Sequence, residues 1–469
     1  MNIVHIVPGS GGGFYCQNCV RDIGLVKALQ AAGHDVLFMP MYLPFLELTD
    51  SAVAQSPVFF GAVNTWLQQK LPFYRRLPPA WRRLLDAPGV LRWAAGQAGT
   101  TQAAGLGDLT LGMLEGREGR HRDALDQMAV WLKTQPPPDI IHISNALLLG
   151  LVPLLRETFG ARIVCTLQDE DTWLDALPPD YRERCWARVK ALSHSVDRFL
   201  PVSATYSEIM QSRLGLTASQ CSTIPIGIDV DAFSPPAAPP ETPTLGFLSE
   251  LTPSCGLDTL LEAFLLLRGR PELATLQLRI TGGDSGASTS FLKRLHARIA
   301  VSGQASAVAF VDAFREPHRS AFLRSLSVLS VPASRPEAFG LFQIEAMACG
   351  VPVVQPRVGA YPEIVAATGG GVIYDGATPA ALAGALAPLL TDPALAARYG
   401  AAGRTAVVET YSLTRMVAEV TRVYRELVSR RTTWPCCVPP AIQPAGRVRS
   451  PPAPEQNDPT GQAPVRTAG

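Results

Sequence analysis

Short β-branched runs recur along the chain near 2–7, 35–39, 139–143, 162–166, 198–202 and 223–226, with stretches of helical periodicity between several of them. That alternation predicts a doubly wound parallel sheet. A second series of the same kind begins at Leu245, with strands expected near 244–248, 276–281, 306–311, 326–331 and 352–355. Between the two series, the proline-dense stretch from Ser234 to Pro243 reads as a stiff linker. The expectation is an N-terminal α/β domain over 1–233 and a second over 244–411. A last helix is expected over 412–428, and 429–469, rich in Pro, Gly, Ala and polar residues, reads as a disordered tail.

A chain of 469 residues exceeds what one core usually holds, in keeping with two domains. Lys and Arg number 41 against 40 Asp and Glu, so the net charge of +1 gives no global pull toward nucleic acid or anionic lipid. No N-terminal apolar run reads as a signal peptide, and the longest apolar stretch, Ala146 to Leu155, falls short of the roughly 20 residues a membrane helix needs. A cytoplasmic location is the expectation. Nine cysteines at irregular spacing do not suggest a disulfide framework and fit a reducing compartment.

The candidate chemistry concentrates between Pro336 and Glu345, in PEAFGLFQIE, with AMACGVPVV following. Gly340 is a flexible lead-in to a helix from Leu341 to about Ala348, and Gly350 with Pro352 supplies its stop signals. The amides of Leu341 and Phe342 at the helix start make an anion site suited to a phosphate. Glu345 shares its helical face with the apolar Leu341, Phe342, Ala348 and Cys349, so its carboxylate should point into a core or a cleft and needs a partner there. A ribose diol would satisfy it, while Glu337, in the preceding loop, could hold a second group of hydroxyls. Two unrelated glutamates on a surface helix would share the spacing; the residues around them weigh against that.

This string resembles the E(x7)E segment of the retaining GT-B glycosyltransferases of family 4. The resemblance extends over about 1–428, through NIVHIVPGSGGGFY at 2–15, KALQAAGHDVLFMP at 27–40, PDIIHISNA at 138–146, ARIVCTLQDED at 161–171, STIPIGIDVDAF at 222–233, GAYPEIVAATGGGVIYDG at 359–376 and ETYSLTRMVAEVTRVYREL at 409–427. It implies two Rossmann-like doubly wound domains facing across a cleft, with the last helix crossing back to the N-terminal one. It also implies transfer of a hexose from a nucleotide-sugar, a co-substrate and not a cofactor, to a hydroxyl of a saccharide or lipid-linked acceptor, with retention and without metal. Glu337 and His142 would act at the transferred sugar. Glu345, Phe339, Gly340, Leu341, Phe342, Arg335, Gly12 and Gly13 would bind the donor, and Phe14, Gln168 and Asp169 would lie on the acceptor side.

Several residues bear on that expectation. The run Gly9-Ser-Gly-Gly-Gly13 is not a dinucleotide fingerprint, because Phe14 stands where GxGxxG requires its third glycine. Cys16 and Cys19 form a C-x-x-C with too few further ligands for zinc, and read as small side chains packed at a helix start. Gln168 stands where many relatives have a histidine and can only hydrogen-bond; Asp169, Glu170 and Asp171 could meet acceptor hydroxyls or form a solvated loop. Relatives carry Arg and Lys where this chain has Glu250 and Cys255, which leaves the donor diphosphate without its usual cations. Either Arg335, Arg315 or Arg357 substitutes, with Arg335 favoured, or the donor is unusual, or the protein is a non-catalytic GT-B binder of sugar nucleotide or glycan. Finally, Lys70 to Arg83 carries five cations, three aromatics and no acid. It could touch membrane headgroups at the inner face, but its prolines break a continuous amphipathic helix and favour a solvated face.

Overall fold

The computed structural model describes residues 1–9, 14–42, 54–59, 105–283 and 288–429. Residues 1–429 form one compact unit. Within it the first six strands, β1 (Asn2–Val7), β2 (Asp35–Pro40), β3 (Ala54–Gln55), β4 (Ile140–Ile143), β5 (Arg162–Leu167) and β6 (Arg198–Pro201), make one sheet in the order β3-β2-β1-β4-β5-β6. The next six, β7 (Thr244–Leu248), β8 (Gln277–Thr281), β9 (Val308–Phe310), β10 (Val328–Leu329), β11 (Val353–Pro356) and β12 (Gly371–Tyr374), make a second in the order β12-β11-β10-β7-β8-β9. All pairings are parallel; Ile3, for example, stands opposite Val36 on one side and Ile140 on the other. Strands covered on both faces are largely apolar, and β4 and β7 are buried along their whole length.

Counted from its own first strand, each sheet has the order 3-2-1-4-5-6 of a doubly wound fold. The order reverses between β1 and β4 and again between β7 and β10, and the crevices at those strands' carboxyl ends are where such folds bind ligands. Residues 234–243 form neither helix nor strand.

Two strand expectations differ from the structure. The 223–226 run leaves the sheet edge after Ile224 N–H donates to the Pro201 carbonyl at 2.9 Å, because Pro225 has no N–H to continue a ladder. The 326–331 run narrows to Val328–Leu329. Strands β3 and β12 were not anticipated.

Five helices position the site: α1 (Gln17–Ala31), α2 (Ala204–Leu214), α3 (Leu341–Ala348), α4 (Tyr361–Thr368) and α5 (Leu413–Ser429). The last buries Met416, Val417, Val420, Val423, Tyr424 and Leu427 at helical spacing, and its outer face carries the ion pairs Arg415–Glu419 and Arg422–Glu426. The buried stripe packs with Ile23, Leu25 and Val26 of α1 against Ile3, Phe38 and Ile140, so the end of the helical chain closes one face of the first sheet. Each such aliphatic side chain removed from water contributes about 1.5–3 kcal/mol. Among the described residues no single helix is long and apolar enough to cross a membrane.

Candidate active site

The loop between β10 and α3 runs along the second sheet's switch point and ends at Gly340, whose φ of 91° lies in the left-handed region. A Cβ there would stand 2.6 Å from the Tyr361 ring of α4, so both the backbone turn and the space require glycine. The turn aims the first amide of α3 into the cleft, where Leu341 N–H donates to Gln17 Oε1 at 2.5 Å. Gln17 Nε2 in turn donates to Glu337 Oε2 at 3.0 Å. One side chain from the first half thus bridges the helix start and the first glutamate of the second half.

Glu345, one helical stretch later, has no exposed surface. Its Oε2 accepts from the Tyr15 hydroxyl at 2.7 Å and its Oε1 faces Arg319 Nη2 at 3.1 Å. Burial pushes the carboxyl up to about 7, with Arg319 and Tyr15 pulling the other way. Arg319 also meets Glu316 at 3.2 Å, donates to the Phe314 carbonyl at 3.1 Å and lies against the rings of Tyr15 and Phe233. A fourth hydrogen bond fixes the segment carrying Tyr15 and Gln17 to the second half, Tyr15 N–H donating to the Gly282 carbonyl at 2.7 Å. Beside it a cavity of about 390 Å³ opens at the ends of β8 and β9, lined by Leu251, Gly283, Phe310, Asp312 and Phe314 among others.

Asp169 faces the same loop. It is the one non-glycine residue with positive φ among those described, at 59°, and its Oδ1 accepts from Ala338 N–H at 2.9 Å. Burial, then the nearby Glu337, raise its carboxyl to about 6. A non-glycine residue held in the left-handed region is strained and marks sites where the surroundings fix it. Three more bonds cross the cleft nearby: Ser203 Oγ donates to the Ala338 carbonyl at 2.7 Å, and Glu363 of α4 accepts from the amides of Ala204 and Thr205 at the start of α2, both at 2.8 Å.

Of the residues singled out in the sequence, Glu337, Glu345, Phe339, Gly340, Leu341 and Asp169 converge on this cleft. Phe339, Leu341 and Phe342 are buried, Phe342 against Tyr361 and Phe339 against Tyr411, so only their backbone can meet a ligand. Gln168 is buried at the strand ends, with Nε2 donating to the Ser144 carbonyl at 2.8 Å. Glu170 is neither solvated nor acceptor-facing: it is fully buried, accepts from the amides of Ala146 and Gln168 and from the Tyr206 hydroxyl, and burial raises it to about 7.

His142 is not in the cleft. Its ring has no exposed surface, lies 2.6 Å from the Tyr424 hydroxyl of α5 and 2.8 Å from Thr166 Oγ1, and stacks edge-on to His5. Position 142 points to the sheet face that α1 and α5 cover, and burial holds the ring well below the usual histidine range, hence neutral. Cys16 and Cys19 are not free thiols either: they form a disulfide at the start of α1, on either side of Gln17. Among the described residues no group of His, Cys, Asp and Glu could hold a metal ion. Gly12, Gly13 and the 70–83 stretch lie outside the described residues, and of the expected tail only Ser429, the last residue of α5, lies within them; Phe14 leads directly into Tyr15.

Tyr15, Gln17, Arg319 and Glu363 escaped the sequence reading. Tyr15 and Gln17 flank Cys16 immediately after the glycine run, a placement that could have marked them; nothing in the sequence around Arg319 or Glu363 distinguishes them.

Comparison with known proteins agrees with this geometry. The family described as Glycosyl transferases group 1 matches residues 231–406, and that described as Glycosyltransferase Family 4 matches the adjoining 107–232. The chain belongs to the family 4 glycosyltransferases. Among relatives of this glycosyltransferase family, the D-inositol 3-phosphate glycosyltransferase of Acidothermus cellulolyticus is 31% identical over 250 residues, covering 51% of this chain and 55% of that one. The enzyme of the same name from Streptomyces avermitilis is 38% identical over 161 residues, 33% of this chain and 34% of that one. The chain spans about half the length of the first of these curated relatives. Among solved structures, sucrose-phosphate synthase from Thermosynechococcus elongatus superposes with a TM-score of 0.66 at 19% identity, over 92% of this chain and 99% of that one. Anabaena HepE in complex with UDP-glucose does so with a TM-score of 0.62 at 16% identity, over 90% and 99%. These likenesses establish the GT-B fold.

Proposed function

We propose that this protein is a retaining, metal-independent glycosyltransferase that moves a hexose from a nucleoside-diphosphate sugar to a hydroxyl of a saccharide or lipid-linked acceptor. The observation that carries the reading is the arrangement around α3. Glu337 and Glu345 bracket its first amide, and all three are engaged by hydroxyl and amide groups of Tyr15 and Gln17. A sugar hydroxyl donating to Glu337, a ribose hydroxyl donating to Glu345 and a phosphate or sugar oxygen accepting from Leu341 N–H would reproduce those bonds. The HepE complex with UDP-glucose supports that donor class, and relatives named as D-inositol 3-phosphate glycosyltransferases support a hydroxyl-bearing acceptor.

Transfer by this site breaks the bond between the sugar's anomeric carbon and the phosphate oxygen, and forms a new bond from that carbon to the acceptor oxygen on the same face. The departing phosphate takes the acceptor's proton. Glu337 contributes by holding the sugar hydroxyls through an oxocarbenium-like state, and the helix start by stabilising charge on the leaving group.

A second reading, a non-catalytic binder of sugar nucleotide or glycan, is favoured by the acid at Glu250 and the thiol at Cys255. One experiment separates them: thermal shift and donor hydrolysis with UDP-, GDP- and ADP-sugars, for wild type, Glu337→Ala and Glu345→Ala. The enzyme reading expects stabilisation that needs Glu345, and slow nucleotide release that falls on the order of 100-fold in Glu337→Ala. Stabilisation without release, even with candidate acceptors, supports the binder. No stabilisation by any of these nucleotide sugars would sink the enzyme reading with a standard donor and leave the glycan binder standing.

A further inference from the structure

We infer that Arg335 holds the donor's diphosphate, a cation supplied from the loop after β10 in place of one on the loop after β7. The inference rests on the glycosyltransferase reading and assigns the phosphate part of that same site.

The two loops are locked together at the second sheet's switch point. Ser334 N–H and Ser334 Oγ both donate to the Ser254 carbonyl, at 2.9 and 3.3 Å. Gly256 lies so close that a Cβ on it would stand 1.9 Å from the Pro332 carbonyl oxygen. Arg335 therefore leaves the chain directly beside the turn that ends at Cys255. That thiol is 1% exposed and turned inward, 3.4 Å from Ser249 Oγ and 3.3 Å from Thr252 Oγ1.

The guanidinium beside it is unspent. Arg335 Nε is buried without a hydrogen-bond partner, and among the described residues no carboxylate comes within ion-pair distance of the side chain. A guanidinium offers five N–H donors in a fork that suits phosphate oxygens. The other candidate cations are occupied or placed elsewhere. Arg357 pairs with Asp375 at 2.6 Å on the surface, Arg315 lies 4.4 Å over the Phe314 ring, and Arg319 is committed to Glu345. Burial works against the charge on Arg335, but Cys255, Glu337, Asp169 and Glu250 around it keep it protonated.

Those same acids sharpen the expected phenotype. A diphosphate entering here is repelled by Glu250 and Glu337 unless a direct contact offsets the repulsion, whereas a nucleoside is not. The test measures dissociation constants for UDP and uridine, GDP and guanosine, ADP and adenosine, and follows whichever pair binds. Wild type should prefer the diphosphate. Arg335→Ala should lower that preference by about tenfold to a hundredfold while leaving the nucleoside's own affinity unchanged. An unaltered diphosphate-to-nucleoside ratio in Arg335→Ala overturns the assignment. So does equal weakening of both ligands, which marks a merely structural residue. If wild type binds no nucleotide at all, the glycosyltransferase reading fails and takes this assignment with it, an outcome distinguishable from the other two.

Discussion

A carboxylate with no exposed surface survives only if it is met, and Glu345 is met by a phenol and a guanidinium. Its folded-state pKa is raised by burial to about 7, as are those of Asp169 to about 6 and Glu170 to about 7. For a carboxyl raised above its unfolded value, the stabilising protonated form is fully present below the unfolded pKa and is lost as pH rises through the folded one. Melting of the ligand-free protein is therefore expected to fall between about pH 5 and pH 8. Glu345→Gln should flatten that slope, by on the order of 1–3 kcal/mol across the window. An unchanged slope in the variant would remove Glu345 as a cause. His142 gives a second residue-level prediction. His142→Ala leaves the Tyr424 hydroxyl and Thr166 without their buried partner and opens a cavity, and should cost about 2–4 kcal/mol. Donor affinity should not change, which calorimetry would check. The two residues also show what the sequence reveals at this scale. The need for a partner at Glu345 follows from its apolar helical neighbours, but the partner comes from Tyr15, 330 positions away. For His142 a strand's alternation says that neighbours point to opposite faces, not which face the helices cover.

At the scale of elements, α3 was legible almost to its ends, because a glycine lead-in and a Gly-Pro stop bound a short apolar run. The segment from Tyr15 to Cys19 was not. Its cysteines read as small packed side chains, whereas in the ligand-free fold the two side chains beside Cys16 occupy the groups proposed to bind the donor. Donor and Gln17 then compete for Glu337 and the Leu341 amide. Gln17→Ala is expected to tighten nucleotide-sugar binding by about 3–10-fold, the worth of one or two neutral hydrogen bonds no longer displaced. Isothermal titration would decide: a loss of affinity would make Gln17 a contact to the donor instead of its competitor. The disulfide between Cys16 and Cys19 brackets this residue and fixes the first turn of α1 from which it projects.

For the whole molecule, the strand periodicity was enough to foresee two doubly wound sheets, because buried parallel strands and intervening helices leave strong signals. How the halves meet was not foreseeable: Glu363 at the start of α2, Asp169 at Ala338 and Ser203 at the same residue join positions more than 130 apart in sequence. At this scale the prediction concerns α5. A chain ending at Thr410 should expose the α1 face now covered by Val417, Val420 and Tyr424. It should bind a hydrophobic dye and elute as aggregates, where the full chain does not; a monomeric, dye-silent fragment would show that α5 is dispensable. The same placement has a consequence on the ribosome. Ser429, the end of α5, follows Pro201, the end of β6, by 228 residues. At roughly 5–20 residues per second the completed N-terminal sheet spends roughly 11–46 s with part of one apolar face open before its cover is synthesised, long enough for translation speed and chaperone supply to govern how much of the protein reaches its native state.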